Sequence, residues 1–132
     1  MVVVDASVIV AAAVGGSSVG EWATSVLTRP DLAAPHLMPV EVASTLRRLV
    51  GTGALPAAAG LLALEDAEGF PVDLAPFAPF AARVWQLRDA VSAYDAWYVA
   101  LAEELGAPLA TLDRLLAGAP GPQCEFLTFS AP

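Results

Sequence analysis

The sequence predicts an α/β domain: a parallel sheet with helices on its faces. Three observations lead there. Short apolar, β-branched runs such as Val2-Val3-Val4 alternate with longer helical stretches, and that alternation favours parallel strands joined by helical crossovers. Apolar residues make up 57% of the 132 residues and mean hydropathy is +0.63, enough for a core and too apolar for disorder. Four acids, Asp5, Glu41, Asp95 and Asp113, fall where elements of such a domain should meet. Ligands of open parallel sheets bind outside the carboxyl ends of the strands.

Val2 to Asp5 is brief, branched and apolar, which predicts a buried strand. A helix over 7–14 stops at Gly15-Gly16, and Ser17-Ser18 cap a second over 19–27. Pro30-Asp31 punctuates the chain. A helix over 36–50 carries Met38, Val42, Leu46 and Leu49 on one stripe, with Glu41 at its edge. Gly51-Thr52-Gly53 ends it, and Pro56 opens a helix running to Glu68. Residues 70–74 alternate weakly, as a strand would. Residues 76–90 predict a helix with Phe77, Phe80, Val84 and Leu87 on one face. The clearest helix covers 92–105 and stops at Gly106. A strand over 108–111, a short helix over 113–117 and a strand-like run over 124–129 complete one domain, residues 1–132.

Composition narrows the function. Net charge is −8 and the pI near 4.3, unlike a general nucleic-acid binder. A metal site needs acids, however, and a bound cation reverses the local sign. All six basic residues are Arg. Without Lys, a Walker phosphate loop is excluded. Haloacid-dehalogenase-like phosphatases and receiver domains also set a Lys beside their acidic pocket, and fit poorly. No apolar run reaches the roughly 18 residues of a membrane span, and no signal peptide is recognisable, so the expectation is a cytoplasmic protein without membrane contact. Cys124 is alone, which excludes a disulfide framework.

Each acid has two readings. Asp5 lies between strand and helix, where Asp is a common N-cap. Glu41 reads equally as a solvated helix residue. Asp95 stands three residues after Ser92, the spacing of a capping box. Its helix is otherwise apolar through Ala102, and an acid opening a buried helix is costly unless paired or metal-bound. Asp113 can cap the helix it opens. As a set, four hard oxygen donors suit Mg²⁺ or Mn²⁺.

The set and its order carry a resemblance. Met1-Val2-Val3-Val4-Asp5-Ala6-Ser7 looks like the opening of a PIN domain of the VapC toxin branch. Pro39-Val40-Glu41-Val42-Ala43 with Leu46-Arg47-Arg48-Leu49 looks like that family's second acidic motif. Ala93-Tyr94-Asp95-Ala96-Trp97-Tyr98-Val99-Ala100-Leu101-Ala102 is similar to its most recognisable stretch, and Leu109-Ala110-Thr111-Leu112-Asp113-Arg114-Leu115-Leu116 resembles its last. The match spans essentially the whole chain. Asp89 departs from the basic or polar residue such chains often carry ahead of the third motif.

The resemblance implies a three-layer α/β/α sandwich around the sheet and a Mg²⁺- or Mn²⁺-dependent ribonuclease whose pocket is Asp5, Glu41, Asp95 and Asp113. It implies a toxin restrained by a VapB-like antitoxin, and usually a homodimer. On this reading Asp5 and Asp95 are the most direct metal ligands, and Glu41 and Asp113 complete the shell. Ser7 and Thr111 orient water or phosphate from behind. Contacts to RNA fall to Arg47, Arg48, Arg88 or Arg114, each of which also reads as a solvated surface residue. His36 reads as a turn residue rather than a base, and Trp22, Trp85 and Trp97 as core or interface. The alternatives are a PIN-like interaction module without catalysis and a small-molecule phosphatase.

Overall fold

The computed structural model describes residues 1–131. Five strands form one wholly parallel sheet, flanked by helices in a three-layer α/β/α sandwich. In chain order the elements are β1 (Val2–Val4), α1 (Ala6–Val14), α2 (Ser18–Leu27), β2 (Leu32–Pro35), α3 (Met38–Gly51), α4 (Ala57–Glu68), β3 (Val72–Ala75), α5 (Ala81–Gln86), α6 (Ala93–Leu105), β4 (Leu109–Ala110), α7 (Arg114–Ala117) and β5 (Phe126–Leu127).

The strand order is β3-β2-β1-β4-β5. The chain therefore builds outward from β1 on one side, then returns to its other side with β4. That reversal lies between β1 and β4, and it is where an open parallel sheet leaves a crevice. Val3 pairs with Leu109 and Val4 with Ala110, and the Asp5 N–H extends the ladder to the Ala110 carbonyl at 3.0 Å. Asp5 and the segment after Ala110 are thus held side by side at the carboxyl ends of both strands.

The core follows from the sequence pattern. Val2, Val3 and Val4 are buried between layers, as are Val8 and Ile9 of α1. On α6, Ala96, Tyr98, Val99, Ala100, Leu101 and Ala102 are all buried, so the helix is enclosed on most of its circumference as its apolar sequence requires. Met38, Val42 and Leu46 form the buried stripe of α3. No single helix among the described residues is long and apolar enough to cross a membrane.

Four expectations change. Leu32–Pro35 is a fully buried strand that the sequence does not signal. Ala has low strand propensity, and it is pairing with β1 and β3 on either side that makes this segment extended. The third strand begins at Val72 rather than at residue 70. The helix expected over 76–90 is broken: Ala78–Phe80 is a 3₁₀ turn and α5 covers only Ala81–Gln86. Pro79 supplies no N–H to an α-helical ladder there. The last strand contracts to Phe126–Leu127.

Among the tryptophans, Trp22 packs against the core and tilts onto Phe129, and Trp97 meets Phe77 edge-on. Trp85 is instead 68% exposed, with the Arg88 guanidinium 5.0 Å above its ring. His36 is an exposed turn residue, as its sequence context suggests. Cys124 is half-buried, and burial pushes its thiol up to about 11.

Candidate functional site

Asp5 ends the central strand, and its side chain is almost wholly enclosed at 9% exposure. It occupies the N-cap position of α1 but makes no side-chain cap bond. Its Oδ2 instead accepts from Ser7 Oγ at 2.7 Å and from Thr111 Oγ1 at 2.8 Å. Oδ1 accepts no hydrogen bond among the described residues. The two hydroxyls are themselves fixed: Ser7 Oγ accepts from the Leu112 N–H at 3.1 Å, and Thr111 Oγ1 from the Asp113 N–H at 3.0 Å. This unbroken network ties the end of β1 to the segment after β4. Ser7 and Thr111 therefore converge on the same oxygen of Asp5.

Asp113 is the N-cap of α7, its Oδ1 accepting from the Leu115 and Leu116 amides at 2.9 and 3.1 Å. The capping reading is realised, on one oxygen. Asp95 lies in the first turn of α6, where Ser92 Oγ accepts from the Asp95 N–H at 3.1 Å. That cap fixes the backbone of the turn and so the direction in which the carboxylate leaves it. Glu41 lies in the first turn of α3, and its Oε1 accepts from Tyr98 Oη at 2.7 Å.

Electrostatics join the acids. Partial burial raises the Glu41 pKa, opposed by the Tyr98 hydrogen bond and reinforced by repulsion from Asp5 and Asp95. Partial burial also raises Asp95, reinforced by Asp5 and then Asp113, with the Ser92 hydroxyl opposing. Glu41, Asp5, Asp95 and Asp113 thus form one run of mutually repelling charges. Tyr98 is held far above the usual phenol range, chiefly by burial and then by Glu41. Among the described residues the sole side-chain ion pair is Arg83–Glu103, at 2.7 Å and outside this set, so no Arg neutralises any of the four acids.

The chemistry of the donors suits a hard divalent cation: four carboxylates without an Arg partner, two following the strands β1 and β4 and two in the first turns of α3 and α6. Bringing three of them onto one ion requires side-chain rotation. Among the described residues no three His, Cys, Asp or Glu side chains are already gathered in ligand geometry.

The arginines divide. Arg114 opens α7 beside Asp113 and lines a cavity of about 220 Å³ together with Thr111, Leu112 and Phe129. Arg47 and Arg48 are exposed on α3, with no side-chain hydrogen bond or ion pair among the described residues. Arg88 is engaged locally, donating to the Trp85 carbonyl at 2.9 Å beneath its stacked guanidinium. The apolar cavity between α3, α4 and β3, lined by Ile9, Met38, Val42 and Phe70, contains none of the four acids.

Tyr98 is the contact that sequence reasoning passed over. Its ring reads as one more apolar residue of a buried helix. The available signal was its spacing, three residues after Asp95, which sets both on one helical face.

Comparison with known proteins gives the family and the fold. The PIN domain family matches residues 2–121. The chain is 40% identical over 124 residues to VapC ribonuclease Mb0985 of Mycobacterium bovis, covering 94% of each. It is 40% identical over 127 residues to ribonuclease VapC1 of Mycobacterium tuberculosis, covering 92% of this chain and 96% of that one. The fold is similar to the crystal structure of PAE2754 from Pyrobaculum aerophilum, with a TM-score of 0.67 at 27% identity over 88% of this chain and 82% of the other. It is also similar to that of Mycobacterium tuberculosis VapC20, with a TM-score of 0.68 at 18% identity over 90% and 96%. The chain belongs to the PIN domain family, among its VapC ribonuclease relatives.

Proposed function

We propose that the chain is a Mg²⁺- or Mn²⁺-dependent endoribonuclease, the toxin of a toxin–antitoxin pair. The observation that carries this reading is the charge-coupled run of Asp5, Glu41, Asp95 and Asp113 at the carboxyl ends of β1 and β4, with no Arg neutralising it. Relatives at 40% identity over nearly the whole chain bear the name ribonuclease, which supports RNA as the substrate.

In this reading Asp5 and Asp95 hold the cation directly, and Glu41 and Asp113 complete its surroundings. A cation held there would acidify a water molecule and offset negative charge on the phosphodiester. The protein's own residues do the rest. Ser7 and Thr111 donate to Oδ2 of Asp5, fixing its rotamer and leaving Oδ1 without a hydrogen bond among the described residues. The α7 amides do the same for Asp113 through Oδ1. Glu41 and Asp95, whose pKa values are raised by burial and by repulsion from the neighbouring acids, are the groups whose charge a cation would favour most. Arg114, at the edge of the site, is the best placed of the arginines to meet a phosphate on the RNA strand.

A VapB-like antitoxin and a homodimer belong to the same proposal. Support for apolar partner surfaces lies in Leu61 and Leu62 of α4, exposed by 59% and 60%, and in Trp85 of α5. The test is cleavage of single-stranded RNA in Mn²⁺, Mg²⁺ and EDTA, beside a small phosphomonoester. The reading expects RNA cleavage that EDTA removes and excess cation restores, with no turnover of the phosphomonoester. Cleavage unchanged in EDTA would overturn the cation requirement.

A further inference from the structure

The four acids are anchored unequally. Asp5 is held by two hydroxyls and Asp113 by two backbone amides. Asp95 leaves a helical turn fixed by Ser92. Glu41 has the longest side chain of the set, with the most rotatable bonds between backbone and carboxylate. Among the described residues its carboxylate is held by one group alone, the Tyr98 hydroxyl at 2.7 Å. Tyr98 is 1% exposed and is among the largest fully buried side chains, so its hydroxyl cannot follow Glu41 if the carboxylate swings away. The bond joins α6 to α3 across 57 residues of sequence.

We propose that Tyr98 is a positioning residue that presents the Glu41 carboxylate to a divalent cation at the acidic cluster, an inference that rests on the cation reading above. The hydroxyl donates to Oε1, leaving Oε2 with no partner among the described residues. Asp95 lies one turn earlier on the same face of α6. One buried helix therefore carries a ligand of its own and the strut for a ligand on another helix. A carboxylate already held loses less rotamer freedom when a cation binds, and groups that orient ligands typically contribute 10–100-fold to metal affinity.

The test is Mn²⁺ titration by calorimetry on wild type, Tyr98→Phe, Glu41→Ala and the double variant. Phe keeps the ring and leaves no buried donor unpaired, and a cation-free melt of each variant checks that it folds. We expect Tyr98→Phe to weaken Mn²⁺ binding about 10-fold, and to change it less than about two-fold once Glu41 is Ala, the signature of coupled neighbours. In RNA cleavage, the Mn²⁺ concentration for half-maximal rate should rise by a similar factor, with kcat recovered at saturating Mn²⁺. Wild-type affinity in Tyr98→Phe would overturn the inference and leave the cation site standing. An equal loss with and without Glu41 would reduce Tyr98 to a packing role and overturn it too. Absence of Mn²⁺ binding to wild type would remove both the inference and the cation reading.

Discussion

The acidic site has two halves built by different means. In the strand half, Asp5 follows β1 and Asp113 lies beyond the adjacent parallel strand β4, and both are locked by Ser7, Thr111 and the α7 amides, in a network whose bonds run 2.7–3.1 Å. In the helix half, Glu41 and Asp95 project from the first turns of α3 and α6, partly buried, with their pKa values raised. Backbone pairing fixes the first half before any ligand arrives. The second half carries the desolvation cost and the mutual repulsion of the acids, which a bound cation would relieve. A rigid half gives geometry, and a responsive half gives dependence on ion and pH.

The largest effect should come from breaking the strand half at its centre. Asp5→Asn keeps an oxygen for Ser7 and Thr111 but removes the charge. RNA cleavage should fall on the order of 10²–10³-fold, while the cation-free melting temperature holds or rises because a repelling charge is gone. A variant that still cleaves at the wild-type rate would contradict the assignment of Asp5.

Thr111→Val strikes the same half through stability. Thr111 is fully buried, and the change deletes a donor to Asp5 while leaving the Asp113 N–H without its acceptor. An uncompensated buried polar group of this kind costs about 1–3 kcal/mol, readable as a lower urea midpoint. A Val variant as stable as wild type would show that the network is ornamental to the fold.

A smaller effect separates the halves by pH. Glu41 and Asp95 have folded pKa values above their ordinary 4.5 and 3.8, so above those values the folded state binds more protons than the unfolded chain. Their contribution to cation-free stability therefore falls as pH rises from about 4 and levels off once pH passes the folded values. Glu103, lowered chiefly by its hydrogen bond with Arg83, gives the opposite slope. Melts in EDTA from pH 4 to 8 on wild type and Asp95→Asn isolate the site: the difference between the two curves should shift in favour of the variant as pH rises. A constant difference would place Asp95 outside the coupled set.

Much of this was legible in the sequence where the signal is local. Val2-Val3-Val4 announces a buried strand by branching and brevity, and Asp5 follows it by position alone. The Ser92 cap and the apolar run of α6 mark Asp95. Ser7 and Thr111 could be placed behind the acids because they are near neighbours of Asp5 and Asp113. What was hidden depends on pairing across the chain. Leu32-Ala33-Ala34-Pro35 has no intrinsic reason to be extended, and becomes β2 because β1 and β3 flank it. The Glu41–Tyr98 bond joins two helices far apart in sequence, and no periodicity within either reports it. Trp85 read as core or interface from its sequence, and it lies on the surface because the break at Pro79 leaves α5 short and its Trp outward.

The most direct test of the two-part site is a thermal melt of wild type and Asp95→Asn, each with and without Mn²⁺ or Mg²⁺. A cation held by the folded state alone stabilises by RT ln(1 + [L]/Kd), about 2.7 kcal/mol at 100-fold over Kd. The account predicts a cation-dependent rise in wild type that Asp95→Asn largely loses. An equal rise in both proteins, or none in either across a wide cation range, would contradict it and leave the acids as helix caps on a binding module.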